Sequence, residues 1–192
     1  MTLSIQRRRG LGVSSAFLAF FGAMWLTGAC QLAFGRNVIP IIGLIWALAA
    51  VLFVFATRVI RLAKSDARAA GVMGSHPRHG RGLMLVNLIQ FVAIFVVAQL
   101  LSSGGHSDWV IPAVMLIVGV HFLPLATLFT YRPHLVTGVA LIALAISYPF
   151  FAKGPLNPIG CLGAGLIIWS SALYGLVTSS TRGRDSVELR AM

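Results

Sequence analysis

Six apolar runs, each long enough to cross a lipid bilayer, set what this chain can become: about 12–34, 39–61, 83–102, 109–130, 134–152 and 158–178. At about 1.5 Å of rise per residue, each covers a hydrocarbon core of roughly 30 Å. Inside lipid every backbone N–H and C=O must be satisfied within the protein, and apolar runs of this length meet that demand as helices. The expectation is an all-α fold: one integral membrane bundle of six transmembrane helices spanning residues 1–192. Composition agrees. The chain is 58% hydrophobic and 10% charged, whereas a soluble domain carries about 25% charged residues.

The formal net charge of +11 would suggest nucleic acid in a soluble protein. The placement of the cations argues otherwise. With the N-terminus inside, the cytoplasmic side receives Arg7, Arg8, Arg9, Arg58, Arg61, Lys64, Arg68, Arg78, Arg81, Arg132, Arg182, Arg184 and Arg190. The outer side receives Arg36 and Lys153. This asymmetry predicts cytoplasmic N and C termini and three consecutive hairpins. The basic residues flank spans and form no patch interleaved with aromatics, so no nucleic-acid partner is expected. The expected partners are the bilayer and, at the cytoplasmic face, anionic lipid headgroups.

The start "RRRG" followed by an apolar run imitates a signal peptide, and "LTGAC" around Cys30 imitates a lipoprotein site. The run exceeds the usual 7–15 residues of a signal core, and Thr27 and Gly28 suit a lipoprotein site poorly, so an uncleaved first span is expected. The second member of each hairpin opens near a proline: "NVIPIIG" (37–43), "WVIPAVM" (109–115) and "NPIGCLG" (157–163). Proline suits a helix's first turn, where its missing N–H is not needed. Ordinary helix grammar explains this recurrence without a threefold repeat. The cytoplasmic loop 62–82 predicts a continuation of the second helix to about Ala70, then a Gly/Pro/His stretch. Its His76 and His79 lack further ligands, so no metal site is expected. The polar tail, 180–192, reads as a disordered end. Ala19, Ala23 and Thr27, and the pairs Gly43/Ala47 and Gly160/Ala164, offer small-residue seams for close helix approach.

Chemistry-bearing residues are few. Asp66, Asp108, Asp185 and Glu188 all fall in loops or the tail. A carboxylate at mid-depth, the usual loader of a coupling ion, is missing from the sequence. The sequence also lacks C-x-x-C, a nucleophile elbow and H-E-x-x-H, and "GCLGAG" has no strand before it to make a dinucleotide fingerprint. No cofactor is expected. A bis-histidine haem needs two imidazoles at one depth, and none of His76, His79, His106 and His134 matches His121. Cys30 and Cys161 match in depth near the outer surface, which allows a disulfide, although two buried thiols are the plainer reading.

His121 is the ionisable side chain set deepest in a span, roughly 13 Å above the cytoplasmic boundary. Pro124 cannot donate to the Val120 carbonyl and predicts a kink there. Depth arithmetic places Gln90, Ser170 and Ser171 at similar height, with Asn87 and Tyr174 one turn lower. Asn87, Gln90, His121, Ser170, Ser171 and Tyr174 are therefore a candidate polar cluster for a small polar solute. Interhelical hydrogen bonds that lock the bundle are the competing reading. Trp109 and Tyr131 suit interface anchoring, while Trp25, Trp46 and Trp169 suit packing.

The stretch 118–146, with Gly119, His121, Phe122, Pro124, Leu125 and Ala126 followed by Pro133, His134, Val136, Thr137 and Gly138, resembles a family of small bacterial multi-pass membrane proteins. In these a G-x-H-F-x-P-L-A segment precedes P-H-x-V-T-G. The resemblance implies a bacterial inner membrane and carries no activity. Three function classes follow: a small-solute carrier or channel-like protein using the polar cluster, a non-catalytic membrane protein acting through lipid or protein partners, and a membrane enzyme or redox protein. A catalytic role is the least expected, and a homodimer would widen the path of a carrier this small.

Overall fold

The structure is a computed structural model that describes residues 2–35, 38–69, 71, 77–128 and 132–191, and the side chains of 2–7, 77–81, 83, 128, 132 and 180–191 lie outside that description. Six long helices account for most of it: α1 (Thr2–Phe34), α2 (Ile39–Ala69), α3 (Pro77–Ser103), α4 (Val110–Leu128), α5 (Arg132–Phe151) and α6 (Pro158–Ala191), with a 3-10 turn at Ser107–Trp109 before α4. All six are long and apolar enough to cross a membrane. The helix ends follow local chemistry. Gly35, at φ 69°, closes α1 by donating its N–H to the Gln31 carbonyl at 3.0 Å, a left-handed cap that favours glycine. Asn157 caps α6: its Oδ1 accepts the Ile159 N–H at 3.0 Å, and Pro158 takes the first helical position.

Each predicted hairpin pairs its two helices, but the most extensive contact joins the first helix to the last. Neighbours run α3, α4, α5, α6, α1, α2, with α6 also touching α2 and α4. Among the described residues α2 and α3 share no contact, so these two helices form the edges of the bundle.

Glycines make the close crossings. On α1 and α6, Gly22 receives the indole of Trp169, whose Nε1 donates to the Ala19 carbonyl at 3.0 Å. Gly165 in turn receives Leu26; a Cβ there would lie 2.6 Å from Leu26 Cγ. Ser15, buried between the two helices, donates its hydroxyl to the Ala172 carbonyl at 3.1 Å. Between α4 and α5, Gly119 and Gly138 face each other, and a Cβ on Gly138 would stand 2.7 Å from the Gly119 carbonyl oxygen. Between α5 and α6, Gly160 admits the Tyr148 ring, whose hydroxyl donates to the Pro155 carbonyl at 2.7 Å. Lipid is as apolar as a leucine, so such close backbone approach and its van der Waals contact are what hold membrane helices together.

Several expectations change. α6 continues to Ala191, so the tail taken as disordered is helical. It contains no proline, and Arg182/Asp185 and Arg184/Glu188 place opposite charges at i, i+3 and i, i+4 spacing. α3 begins at Pro77, which shortens the loop after α2. Pro124 lies inside an uninterrupted α4; Pro124 and Val120 are both exposed, so the carbonyl that proline leaves without a donor belongs to the lipid-facing side. For Cys30 and Cys161 no expectation changes: both are free thiols, the plainer of the two readings, with Cys161 buried and Cys30 half-buried. Of the small-residue pairs, Ala19, Ala23 and Ala164 are buried in contacts, while Gly43 has open space around it. His76 and Tyr131 lie outside the described residues, as does the side chain of His79.

These crossings predict opposite outcomes for one methyl group. Gly22→Ala drives a Cβ into the Trp169 ring and should lower the melting temperature of the detergent-purified protein, as overpacking costs about 1–3 kcal/mol. Gly43→Ala should leave it unchanged or raise it, because alanine is the better helix former by about 1 kcal/mol.

Candidate functional site

The six candidate residues fall on α3, α4 and α6, but not in the grouping that depth alone suggests. On α4, His121 is half-buried and its ring lies toward the Val86 backbone on α3. Asn87 and Gln90, the residues that follow on α3, are half-buried along the α3–α4 seam. Three of the six candidates thus share one pair of helices.

The other three sit on α6 and do not join them. α3 and α6 make no contact among the described residues. Ser170 is exposed and Tyr174 is 56% exposed, both turned outward from the bundle. Ser171 faces inward, 8% exposed, and its Oγ has no hydrogen-bond partner among the described residues. Adjacent serines on a helix point about 100° apart, so equal depth leaves them on different faces. A single six-residue cluster is not what the fold assembles.

The best-connected polar group is a histidine whose depth does not match that of His121. His134 is 3% exposed. Its Nε2 lies 3.2 Å from Ser14 Oγ on α1, so the two share a hydrogen bond that ties α5 to α1. Its ring packs on Phe122 at 5.6 Å between centroids, and Phe122 in turn meets the His121 ring edge-on at 6.2 Å. His121 and His134 also lie within electrostatic reach of each other. The sequence held a signal for this. His134, Thr137, Leu141, Ala145 and Tyr148 are all buried and recur at helical spacing along one face of α5. Ser14 and Ser15 were passed over because small hydroxyl residues near a span's end look like ordinary interface residues.

These arrangements fill the centre with side chains. Phe122, Leu125, Leu141, Ala145, Ile168 and Ala172 form one buried cluster beside the histidines. Two shallow surface clefts lie elsewhere. One, of about 460 Å³, is lined by Gln31, Gly35, Val38, Ile39 and Ile42 where α1 turns into α2. The other, of about 280 Å³, is lined by Arg61, Lys64, Ser65 and Arg68 on α2. Beside this second cavity, Arg8 Nη1 holds Asp66 Oδ2 at 2.9 Å. Arg61, Lys64 and Arg68 make no ion pair among the described residues, and together with Ser65 they occupy i, i+3, i+4 and i+7 positions of one helix face. No group of three or more potential metal ligands occurs among the described residues.

The two histidines should therefore differ on truncation. His134→Ala removes a buried ring and the bond to α1, and should lower the melting temperature well beyond His121→Ala, which empties a half-exposed position. Ser14→Ala should cost about 0.6–1.7 kcal/mol, the range for one interhelical hydrogen bond in a membrane. Equal losses for the two histidine variants would contradict the assignment of His134 as the lock.

The chain is a six-helix polytopic membrane protein; no family model, curated protein or solved structure matches it.

Proposed function

We propose that this is a non-catalytic inner-membrane protein that acts through contacts at its surface, and that the basic stripe of α2 holds anionic lipid headgroups at the cytoplasmic face. One observation carries the reading: Arg61, Lys64 and Arg68 surround a shallow cavity with Ser65, while the neighbouring acid, Asp66, is already engaged by Arg8. The cavity is thus left with cations and a hydroxyl, a set suited to a phosphate group. Arg58, one turn nearer the span, lies 5.9 Å from the centre of the Phe55 ring and extends the same exposed stripe. Basic residues at the headgroup level of an anionic membrane contribute about 1 kcal/mol each.

The carrier reading is weaker on this geometry. A path for solute needs a cavity that reaches His121, and the space between the histidines and α6 is occupied by the buried cluster around Phe122 and Ile168. The half-buried group of Asn87, Gln90 and His121 remains open to the lipid side of the bundle.

The expected outcome in reconstituted nanodiscs is a melting temperature several degrees higher in phosphatidylglycerol-containing bilayers than in pure phosphatidylcholine. The triple variant Arg61→Gln, Lys64→Gln, Arg68→Gln should lose that difference while melting normally in phosphatidylcholine. A lipid-independent melting temperature, or a triple variant that keeps the difference, would overturn the reading.

A further inference from the structure

We propose that α3 is the surface through which two copies of this chain pair in the membrane, with Asn87 as the polar contact at one end of the seam. α3 is an edge helix. Among the described residues it touches α4 alone of the other long helices, and none of its Met84–Ser103 span is buried. An apolar face in that position would need nothing beyond lipid. α3 is different because its span carries two carboxamides in the half nearer the basic end. Asn87 and Gln90 are half-buried, and neither side chain has a hydrogen-bond partner among the described residues. Acyl chains supply neither donor nor acceptor, so such groups favour a protein partner.

The spacing marks which side of α3 the partner covers. Asn87, Phe91, Ile94 and Ala98 recur at intervals of four, three and four residues and form one seam beside the α4 contact. Phe91 is 56% exposed, while Ile94 and Ala98 are half-exposed. A seam with this period keeps two parallel helices in register, and one asparagine within it fixes the alignment. Ala98 permits close approach toward the other end. The span holds no charged residue, so like copies do not repel.

The occupant that fits is a second copy. Two chains inserted in the same orientation and related by a twofold axis along the membrane normal bring each Asn87 to the depth of its counterpart. A carboxamide both donates and accepts, so two asparagines satisfy each other without any further residue. Gln90, one turn on and nearer α4, adds a second self-complementary group.

The test uses the full chain in native membranes, in a background of Cys30→Ser and Cys161→Ala. Single cysteines are placed on the proposed seam (Phe91→Cys, Ile94→Cys, Ala98→Cys) and on the far face of α3 (Ile89→Cys, Val96→Cys), then oxidised with copper phenanthroline. The seam positions should give a covalent dimer and the far-face positions little. Adding Asn87→Leu to Ile94→Cys should cut the dimer fraction about threefold or more, as expected for lost membrane hydrogen bonds, while Asn87→Gln should largely retain it. Equal cross-linking on both faces, cross-linking confined to 89 and 96, a product of a mass other than twice the chain, or indifference to Asn87→Leu would each overturn the proposal.

Discussion

The clasp between α1 and α6 is the contact on which the rest of the bundle depends. It joins the first helix to the last, with Trp169 laid into Gly22 and Leu26 into Gly165. Two hydrogen bonds to backbone carbonyls, from the half-buried Trp169 and the buried Ser15, fix its register. In lipid there is no hydrophobic drive to bring helices together, so fitted surfaces and satisfied polar groups must do it. With α1 fixed on α6, Ser14 comes to face His134 on α5, and the hydrogen bond between them extends the clasp to a third helix. The same arrangement leaves α2 and α3 outside. α2 leans on α1 and α6, and α3 leans on α4.

The centre of this protein therefore reads as scaffold and its edges as the working parts. His134, Ser14 and Ser15 spend their polar atoms on neighbouring helices, as residues do when they hold a bundle rather than a ligand. Apart from the buried hydroxyls of Thr27 and Ser171, which have no hydrogen-bond partner among the described residues, the uncommitted groups are peripheral. They are the cations of α2, whose neighbouring acid Asp66 is taken up by Arg8, and the carboxamides of Asn87 and Gln90 on α3, which have no hydrogen-bond partner among the described residues. These two edges do not compete. In the arrangement proposed, the first meets headgroups at the membrane surface and the second meets another helix within the apolar layer.

The sequence revealed height in the membrane and concealed direction around each helix. Spans emerge from it because twenty apolar residues in a row have few other fates, and the prolines at 112 and 158 mark helix starts for a local steric reason. Direction is concealed because lipid-facing and core-facing side chains are both apolar, so the amphipathic stripe that orients a soluble helix is faint. Ser170, Ser171 and Tyr174 share a depth band with Gln90, yet only Ser171 turns inward. His134 stands two residues after Arg132 and does not match His121 in depth, yet its side chain is buried against Phe122. Glycines on α1, α4, α5 and α6 were visible as small residues; which large side chain each admits is a property of the assembled pairs. The helical tail shows the reverse error, in which polar composition suggested disorder where opposite charges at helical spacing favour a continued helix.

The clasp can be tested directly because a thiol already stands beside it. Cys161 on α6 is buried, and a Cβ added at Gly28 on α1 would sit 3.7 Å from its Sγ, within reach of a disulfide after small side-chain rotation. In a Cys30→Ser background, Gly28→Cys should form an intramolecular disulfide with Cys161 on mild oxidation in the membrane. It would be read as loss of maleimide labelling without change of molecular mass, and reversed by reductant. Free labelling of both thiols after oxidation, in protein shown to be folded by its melting transition, would contradict the α1–α6 clasp and the architecture built on it.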